Sequence, residues 1–598
     1  MSKVVLLAIN AKYVHTSLAA WTLAGGVSKY ALLPHDVNVA ETTIHQTDSA
    51  IADSVTAYMP DVVGISSYIW NAAKLPGLLK LLRERLPDAV FVLGGPEASH
   101  NAEYWLAQGA GYVIKGEGER CFPALLDSLD REKGDCESLR MNCRGDRPRS
   151  PAKRAQYVKR ETEDDRPYGQ TMETSGENQG IEIIDYPHII YNFCISQSTI
   201  TPEYYSAIGG RIAYLETSRG CPFRCAFCLS AGSGVRFFPL DTAKEQLYKL
   251  SESGTKTIKL VDRTFNCDSG RAYELFDYII RMDTACRFHF EVAADLFDGR
   301  TLELLGSAPP GRIQFEAGLQ SFFEPALKAA SRQTDIEKAQ RNIRTLMQGR
   351  NIHIHVDLIA GLPYETLPDF MDSFDRAYAL GAHTLQLGFL KLLHGSRLRN
   401  QAETLGIRYA EEPPYEIRSS PWLGGEDIQT LKQAENALQH TYNKRRFLSA
   451  IEYTLSASKL RPFSFFQALG EAAPNHATHL DKYAIQIYEF CARLPGVCSN
   501  ELRDRMIYDW LGMVKGRNMP GFLKNPDNRS NQVIADAKKA LGREPGRGET
   551  AVLHSGVGVF VDIHSRDPVT GLYKVYEGAT PAVCWRGRAA RMFTGVSE

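Results

Sequence analysis

The sequence predicts an α/β protein with three folded parts: a doubly wound parallel sheet, a partial (β/α)6 barrel, and a mainly helical C-terminal domain with a terminal β-hairpin. Its 598 residues are too many for a single hydrophobic core. Short runs rich in Val and Ile alternate with segments of helical periodicity in two separate stretches of the chain. Hydrophobic residues make up 43% and charged residues 23%, which is typical of a globular protein.

The first stretch, residues 1–131, predicts a parallel sheet covered by helices on both faces. Five apolar runs are the strand candidates: 3–9, 37–42, 61–66, 89–95 and 111–116. Ligands of such sheets bind beyond the carboxyl ends of the strands. These ends are rich in Gly and Ser, so we expect exposed backbone amides to meet a ligand there.

Residues 132–208 are predicted to be a polar linker between the two α/β parts. The segment 132–180 has mixed charges and no sustained periodicity. This composition favours a solvated connector over a binding arm.

The second α/β stretch, residues 209–410, predicts most of a barrel. Its six strand candidates are 212–218, 257–262, 288–295, 312–321, 352–361 and 384–393. Helical segments separate these runs, as in (β/α) folds, whose catalytic residues lie on loops at the carboxyl ends of the strands. Residues 411–598 are predicted to be mainly helical, and the turn sequence "DPVTG" near the C-terminus predicts a β-hairpin.

Several classes of protein are disfavoured by composition. No apolar run approaches the roughly 18 residues that a membrane span requires. The apolar N-terminal run is predicted to be a buried strand rather than a signal peptide, so we expect a cytoplasmic protein with reduced thiols. The formal net charge of -1 gives no whole-chain argument for binding nucleic acid.

Three of the 12 cysteines, Cys221, Cys225 and Cys228, form the one tight group, in "RGCPFRCAFCLS". A structural zinc ion takes four protein ligands, and no fourth Cys or His lies nearby. A four-iron cluster held by three thiolates leaves one iron open, and an open iron can hold the amine and carboxylate of S-adenosylmethionine. The other nine are expected to be small apolar residues: Cys121, Cys136, Cys143, Cys194, Cys267, Cys286, Cys491, Cys498 and Cys584.

The C-x-x-x-C-x-x-C spacing after the first barrel strand resembles the signature of radical S-adenosylmethionine (radical SAM) enzymes. The resemblance implies a 4Fe-4S cluster on the three cysteines, which makes them both metal ligands and catalytic residues. It also implies contacts to S-adenosylmethionine from residues that match the family's strand-end segments: Phe227, Asp262, Arg263, Glu316, Gln320, Ser321 and Gly361.

The parallel sheet ahead of the barrel resembles the Rossmann-like cobalamin-binding domain of one branch of this family. The resemblance implies that a corrinoid is lined by Ser66, Ser67, Gly94, Gly95, Pro96, Gly116 and Glu117. No D-x-H-x-x-G run occurs in residues 1–131, so the lower face of the corrinoid is expected to lack that motif's His. His15 is the nearby alternative ligand. The C-terminal third resembles a subgroup that carries an uncharacterised domain.

The resemblance implies a cobalamin-dependent methyltransferase that acts on an unactivated centre of a small molecule and takes electrons from a low-potential donor such as flavodoxin or ferredoxin. Cyclisation or rearrangement with the same cofactors is the alternative within the class. Two rivals are an iron–sulfur electron carrier or sensor and a radical enzyme that modifies nucleic acid. The basic clusters "NKRRF" and "WRGRAARM" bear on the second rival, but no aromatic-interleaved basic stripe accompanies them.

Overall fold

A computed structural model describes residues 1–142, 189–191, 198–473, 479–525, 530–577 and 580–581. Most of the predicted linker, three of the cysteines (Cys143, Cys194 and Cys584) and the cluster "WRGRAARM" lie outside these residues. Among the described residues, no helix combines the length and the apolar character that a membrane crossing requires.

The N-terminal part is a six-stranded parallel sheet with strand order β2-β1-β3-β4-β5-β6. The strands are β1 (Lys3–Asn10), β2 (Asp36–Thr43), β3 (Val62–Ser66), β4 (Val90–Gly94), β5 (Tyr112–Lys115) and β6 (Ile189–Tyr191). The helices are α1 (Leu18–Tyr30), α2 (Asp48–Thr56), α3 (Leu75–Arg85), α4 (Pro96–His100), α5 (Ala102–Ala107) and α6 (Cys121–Asn142). Successive β1 side chains enter two different cores, one on each face, which confirms the doubly wound sheet.

Two described elements fall wholly within the range that the sequence assigns to the linker, and α6 extends into it as far as Asn142. Strand β6 pairs in parallel with β5, and α7 (Pro202–Ala207) precedes the barrel. A three-residue strand is too short to show the alternation on which a sequence-based assignment depends. The N-terminal sheet therefore draws its last strand from beyond residue 131.

The middle part is a six-stranded parallel sheet in the order β7-β10-β11-β12-β13-β14, as predicted for a partial barrel. Its strands are β7 (Ala213–Leu215), β10 (Thr257–Leu260), β11 (Arg287–Val292), β12 (Ile313–Gln320), β13 (His353–Ala360) and β14 (Thr384–Phe389). An antiparallel hairpin, β8 (Ser218–Cys221) and β9 (Gly234–Phe237), interrupts the series after β7. The helices of this part are α8 (Leu240–Glu252), α9 (Ser269–Arg281), α10 (Gly299–Gly306), α11 (Glu324–Ala329), α12 (Ile336–Gly349), α13 (Leu367–Ala379) and α14 (Arg397–Gln401).

The C-terminal part is helical and ends in an antiparallel sheet. It contains a short strand pair, β15 (Arg408–Tyr409) and β16 (Ile417–Ser419), and then α15 (Gly425–His440), α16 (Leu448–Ser458), α17 (Pro462–Ala472), α18 (Leu480–Ala492), α19 (Ser499–Met513) and α20 (Ser530–Leu541). The sheet consists of β17 (Thr550–Val552), β18 (Gly558–Arg566), β19 (Tyr573–Glu577) and β20 (Thr580–Pro581). The predicted "DPVTG" turn connects β18 to β19, which confirms the hairpin.

This turn packs against the amino ends of the barrel strands. The Arg287 side chain at the start of β11 donates a hydrogen bond of 3.3 Å to the carbonyl of Pro568. At the start of β13, Nδ1 of His353 lies 3.0 Å from the carbonyl oxygen of Val569. The barrel and the C-terminal part share one continuous hydrophobic core. The C-terminal hairpin thus closes the barrel at the end opposite the cysteine loop.

Candidate active site

The three grouped cysteines lie on the β8–β9 hairpin at the carboxyl end of β7. Cys221 is the last residue of β8, and Cys225 and Cys228 follow in the connecting loop. The loop is anchored to the barrel on both sides of Ala226, whose N–H donates to Ala330 O (2.8 Å) and whose carbonyl accepts from Leu398 N–H (2.9 Å). These backbone bonds fix the positions of the thiols without using the thiols themselves.

The hairpin depends on a glycine at its narrowest point. Gly220 has φ of +100°, and a Cβ added there would lie 1.8 Å from the carbonyl oxygen of Gly234 on the opposing strand. No other residue type fits this conformation and this close approach of two backbones. The Gly of the Arg-Gly-Cys sequence is therefore a requirement of the hairpin.

The three thiols suit a multi-iron cluster better than a single ion. Cys221 and Cys225 are buried and Cys228 is half-buried. Burial raises the pKa of Cys228, and its thiol neighbours Cys225 and Cys221 raise it further. In the described part of the chain, only one group of three metal-binding side chains has all its ligand atoms within 4.8 Å, and it contains no cysteine. At least two of the three sulfur atoms are therefore more than 4.8 Å apart. Thiolates around a tetrahedral zinc would lie only about 3.8 Å apart, given Zn–S bonds of about 2.3 Å, so this spacing is too wide for a single zinc ion.

One donor approaches a sulfur atom, because Arg332 Nη1 lies 3.6 Å from Cys225 Sγ. Thr264 Oγ1 lies 3.6 Å from Cys221 Sγ, but its hydroxyl donates to the carbonyl of Arg263 (2.8 Å). Donors to sulfur stabilise the thiolate form that ligates iron and tune the potential of a cluster. The donor set and its surroundings therefore fit a cluster held by Cys221, Cys225 and Cys228.

Asp262, which is predicted to contact S-adenosylmethionine, supports the cysteine hairpin. Its carboxylate is buried, with 1% of the residue exposed. It accepts hydrogen bonds from the Thr217 N–H (3.0 Å), the Thr217 hydroxyl (2.7 Å) and the Ser218 hydroxyl (2.5 Å). Burial raises the pKa of Asp262, while these bonds act in the opposite direction. These hydrogen bonds all come from the start of β8, and the predicted contact of Asp262 with S-adenosylmethionine stays a prediction.

Arg263, the next residue, is exposed and faces three parts of the molecule. Its positive charge lowers the pKa values of Cys228 on the hairpin, Glu291 on β11 and Tyr68 in the N-terminal part. In each case burial raises the pKa more strongly than Arg263 lowers it. Arg263 is thus placed near the junction of the cysteine loop, the barrel interior and the N-terminal sheet, and its predicted contact with a cofactor stays a prediction.

Gln320 and Gly361, at the ends of β12 and β13, and Phe227 in the cysteine loop are three further residues predicted to contact S-adenosylmethionine. Gln320 ends β12 with φ of +68°, and its buried Oε1 has no hydrogen-bond partner within the described structure. An unsatisfied buried amide oxygen in a strained conformation is typical of a site completed by a ligand. Gly361 has φ of +95°, and a Cβ there would lie 2.8 Å from the Ile417 side chain, so the position requires glycine, and its predicted cofactor contact stays a prediction. Phe227 is half-buried against the barrel core.

Ser321 does not face the barrel mouth. It is fully buried, and its hydroxyl donates to Glu365 Oε1 at 2.5 Å. The Ser373 hydroxyl donates to the same oxygen at 3.1 Å. Glu365 belongs to the Gly-Leu-Pro-x-Glu segment, and burial raises its pKa to about 7. This network ties the end of β12 to α13, and the predicted contact of Ser321 with S-adenosylmethionine stays a prediction.

In the N-terminal part, Ser67 is a structural residue at the predicted ligand edge. It is fully buried, and its hydroxyl donates to the carbonyl of Gly94 (2.7 Å) and accepts from the Ala98 N–H (2.8 Å). Gly95 has φ of +95°, and a Cβ there would lie 2.5 Å from the Ser67 carbonyl. Pro96 begins α4. These contacts hold the β3 and β4 loops together instead of presenting the Ser67 hydroxyl to a ligand.

Other predicted corrinoid-lining residues remain on the ligand edge. Ser66, at the end of β3, is half-buried, and Gly116 follows β5 with φ of +86°. Trp70, which the sequence analysis did not single out, is 46% exposed just beyond β3 and stacks on Tyr68 with ring centroids 4.2 Å apart. A Tyr and a Trp two residues apart, directly after a parallel strand, are a signal that sequence analysis could have used.

His15 is occupied by a contact between the two α/β parts. Its Nδ1 atom lies 2.6 Å from the Tyr214 hydroxyl on β7, and its backbone bridges to Ile212. Burial and the nearby cations Lys259 and Lys12 lower its pKa. The geometry gives His15 a structural role between the two α/β parts, and its role as an axial ligand stays a prediction.

A buried network of ions, which the sequence did not reveal, joins the N-terminal sheet to the cysteine hairpin. Arg219, two residues before Cys221, forms ion pairs with Glu117 (3.1 Å), Glu119 (2.9 Å) and Glu216 (2.5 Å). Glu117 also pairs with Arg236 on β9. Glu117 thus takes part in docking the two α/β parts, and its predicted contact with a corrinoid stays a prediction. Partners 100 residues apart in sequence carry no local signal of this pairing.

Polar side chains on β11, β12 and β13 also line the barrel interior. The sequence analysis identified Glu316 but not its neighbours on β11 and β13. Glu316 accepts a hydrogen bond from His289 (3.1 Å), which lowers its pKa to about 2. His355 and Asp357 lie on the adjacent strand β13. Burial raises the pKa of Glu291 to about 7. Alternation on β11 and β13 was visible in the sequence, but it does not show which polar residues meet across strands.

Comparisons with known proteins support this division of the chain. Three family models match in series: "B12 binding domain" over residues 4–126, "Radical SAM superfamily" over residues 215–377, and "Protein of unknown function (DUF4080)" over residues 403–544. The last of these coincides with most of the predicted uncharacterised C-terminal domain.

Two curated relatives are methyltransferases. The chain is 25% identical over 349 residues to 2-(S-pantetheinyl)-carbapenam-3-carboxylate methyltransferase of Streptantibioticus cattleyicolor, which covers 54% of this chain and 46% of the relative. It is 23% identical over 398 residues to cytidylyl-2-hydroxyethylphosphonate methyltransferase of Streptomyces wedmorensis, covering 62% of this chain and 72% of the relative. The chain thus spans about half the length of the first relative.

The fold is shared with a solved structure of the cobalamin-dependent S-adenosylmethionine radical enzyme OxsB with aqua-cobalamin and S-adenosylmethionine bound. The TM-score is 0.52 at 14% sequence identity, and the match covers 85% of this chain and 78% of that one. This likeness concerns the arrangement of the domains.

We predict that Asp262→Asn lowers the iron content of the anaerobically reconstituted protein by at least about half. An amide keeps one acceptor oxygen but turns an NH2 group toward three donors, which leaves buried groups unpaired at the start of β8. Iron per chain after gel filtration measures the effect. Asp241→Asn, at an exposed position in the first turn of α8, is the control and should load iron like the wild type.

We predict that Glu365→Gln makes thermal stability less dependent on pH. The folded pKa of about 7 lies above the ordinary value of 4.5, so the native state holds an extra proton between these values. The free energy of unfolding of the wild type therefore falls as pH rises from about 4.5 to about 7, by about 2–3 kcal/mol. Melting temperatures at pH 5 and pH 8 should differ more in the wild type than in the variant. Glu337→Gln, at an exposed position, is the control and should keep the pH dependence of the wild type. An equal pH dependence of the wild type and Glu365→Gln would refute this assignment.

Proposed function

We propose that this chain, which belongs to the radical SAM superfamily and carries an N-terminal B12-binding domain, is a cobalamin-dependent radical methyltransferase. One observation carries the proposal most directly: Arg219 joins the three-cysteine hairpin to the loop after β5, at the carboxyl edge of the B12-binding sheet. Ligands of such sheets bind at this edge. The two cofactor-binding elements are therefore adjacent.

When bound, the cluster supplies the electron that splits the sulfonium of S-adenosylmethionine, and the corrinoid supplies the methyl group. The residues of the chain hold and orient these groups. Cys221, Cys225 and Cys228 would ligate iron, and the unsatisfied amide of Gln320 would hydrogen-bond S-adenosylmethionine at the end of β12. The edge formed by Ser66, Gly116 and the exposed Trp70 would take the corrinoid.

The class of relatives favours methyl transfer over the alternative of cyclisation or rearrangement. The two methyltransferases described above act on dissimilar small molecules. We infer a small-molecule substrate, an unactivated acceptor centre, and a low-potential electron donor such as flavodoxin or ferredoxin. A cytoplasmic location is part of the same proposal.

The rival of nucleic-acid modification is weakened at one of its two basic clusters. In "NKRRF", Arg445 is 8% exposed and Phe447 is fully buried, and Asn443 hydrogen-bonds to the backbone of Leu385. These three residues pack the C-terminal part onto β14. Of the basic residues only Lys444 is exposed, while Arg446 is half-buried, so the run does not present a continuous basic stripe to a phosphate backbone.

The proposal predicts two cofactors with separable sites. Anaerobic wild-type protein, reconstituted with iron, sulfide and cobalamin, should bind both cofactors. With a low-potential reductant it should convert S-adenosylmethionine to methionine and 5′-deoxyadenosine. Cys225→Ala should lose the iron and the cleavage, by at least about a hundredfold, but keep cobalamin, because its binding residues lie in the other domain. Cys498→Ala, which removes an exposed thiol, is the control.

Methyl transfer is tested with S-adenosylmethionine labelled in the methyl group and cobalamin-loaded enzyme. Appearance of the label on cobalamin in the wild type supports the assignment as a methyltransferase. Cleavage without any labelled methylcobalamin would favour cyclisation or rearrangement. Zinc in place of iron in the reconstituted protein would refute the assignment to radical chemistry.

A further inference from the structure

The inward face of the barrel sheet brings acidic and imidazole side chains together on three neighbouring strands. Glu291, Glu316 and His355 are register partners on β11, β12 and β13. Residues on the opposite face, such as Phe315 and Val356, are buried in the hydrophobic core. Since side chains alternate along a strand, the polar residues must point into the barrel interior.

Three of these side chains are close enough to share one ion. Glu316, His355 and Asp357 each offer a ligand atom, and the three atoms lie within 4.8 Å of one another. His355 and Asp357 are two residues apart on β13 and therefore share a face, and Glu316 faces them from β12. This is the one such group among the residues that the structure describes.

Two of the atoms are paired with each other. His355 Nε2 and Asp357 Oδ1 form an ion pair at 2.8 Å and are sealed from solvent, but their geometry falls outside the hydrogen-bond range and neither has another hydrogen-bond partner among the described residues. At metal–ligand bonds of about 2.0–2.1 Å, a separation of 2.8 Å corresponds to an angle near 90° at the ion. An ion would satisfy both atoms at once.

A fourth residue holds the carboxylate of Glu316 in place. His289 Nε2 lies 3.1 Å from Glu316 Oε2 and is outside the group of three. Hydrogen bonds of this kind orient metal-binding carboxylates and histidines in known sites. The "DPVTG" turn described above closes the amino end of the barrel, below the group formed by Glu316, His355 and Asp357.

We propose that Glu316, His355 and Asp357 bind one divalent first-row transition-metal ion inside the barrel, separate from the cluster on the cysteine hairpin. One imidazole and two carboxylates form a mixed nitrogen and oxygen donor set, which suits Mn(II), Fe(II) or Zn(II). Three protein ligands leave coordination positions open to an oxygen donor such as a substrate carboxylate or phosphate. His289 acts as a positioning residue.

The test is metal binding by the full-length, cluster-loaded protein after treatment with a chelator. Mn(II) is titrated into the protein under anaerobic conditions, and the concentration of unbound Mn(II) is measured by electron paramagnetic resonance. We expect one ion per chain, at least about tenfold weaker binding in Asp357→Asn and His355→Gln, and about 10- to 100-fold weaker binding in His289→Ala. This readout requires neither cobalamin nor turnover, so it is independent of the proposed function.

His353→Gln is the matched control, because it removes an imidazole on the same strand and the same inward face, two residues from His355. It should bind Mn(II) like the wild type. Circular dichroism checks that each variant folds, and Glu316→Gln replaces any ligand variant that does not. Wild-type protein that takes up neither Mn(II) nor Zn(II), or ligand variants that bind like the wild type, would overturn the proposal.

Discussion

The ion pairs of Arg219 are the constraint on which the relation between the two cofactor-binding parts depends. One guanidinium contacts Glu117 and Glu119 from the N-terminal sheet and Glu216 from the end of β7. Only 20% of the arginine side chain and 6% of Glu119 are exposed. Removing one partner of such a buried pair leaves a desolvated charge, which costs about 3–5 kcal/mol. The network thus fixes the cysteine hairpin against the edge of the B12-binding sheet.

Around this junction, several buried polar residues hold loops and strands in place, and their hydrogen bonds are already made within the protein. Asp262 holds the start of β8, Ser67 holds the β3 and β4 loops, and Glu365 ties β12 to α13. Each lies in a strand-end segment that resembles the family pattern. The same segments also place Gln320 and Trp70, whose unsatisfied or exposed atoms remain for ligands. Strand-end segments therefore contain both supports and contacts, and only burial and hydrogen bonding distinguish them.

The sequence predicts the architecture well because the deciding signals are local. Apolar runs buried on both faces identify the parallel strands, and the spacing of three cysteines identifies the cluster loop. The ion pairs of Arg219 and the group formed by Glu316, His355 and Asp357 depend on contacts across strands and between domains, which local patterns do not encode. For the same reason the sequence does not show that Ser321 and Glu117 bond to distant partners, and the cofactor contacts predicted for them remain predictions. Strand β6 escaped notice because three residues carry no periodicity.

The docking claim is tested most directly by hydrogen exchange on Arg219→Gln in the full-length protein. If Arg219 holds the two parts together, amide exchange should become faster on both sides of the junction, in the loop 116–119 and in the hairpin 218–237. Faster exchange confined to the hairpin, with the loop after β5 unchanged, would contradict the claim that this arginine joins the B12-binding sheet to the cysteine site.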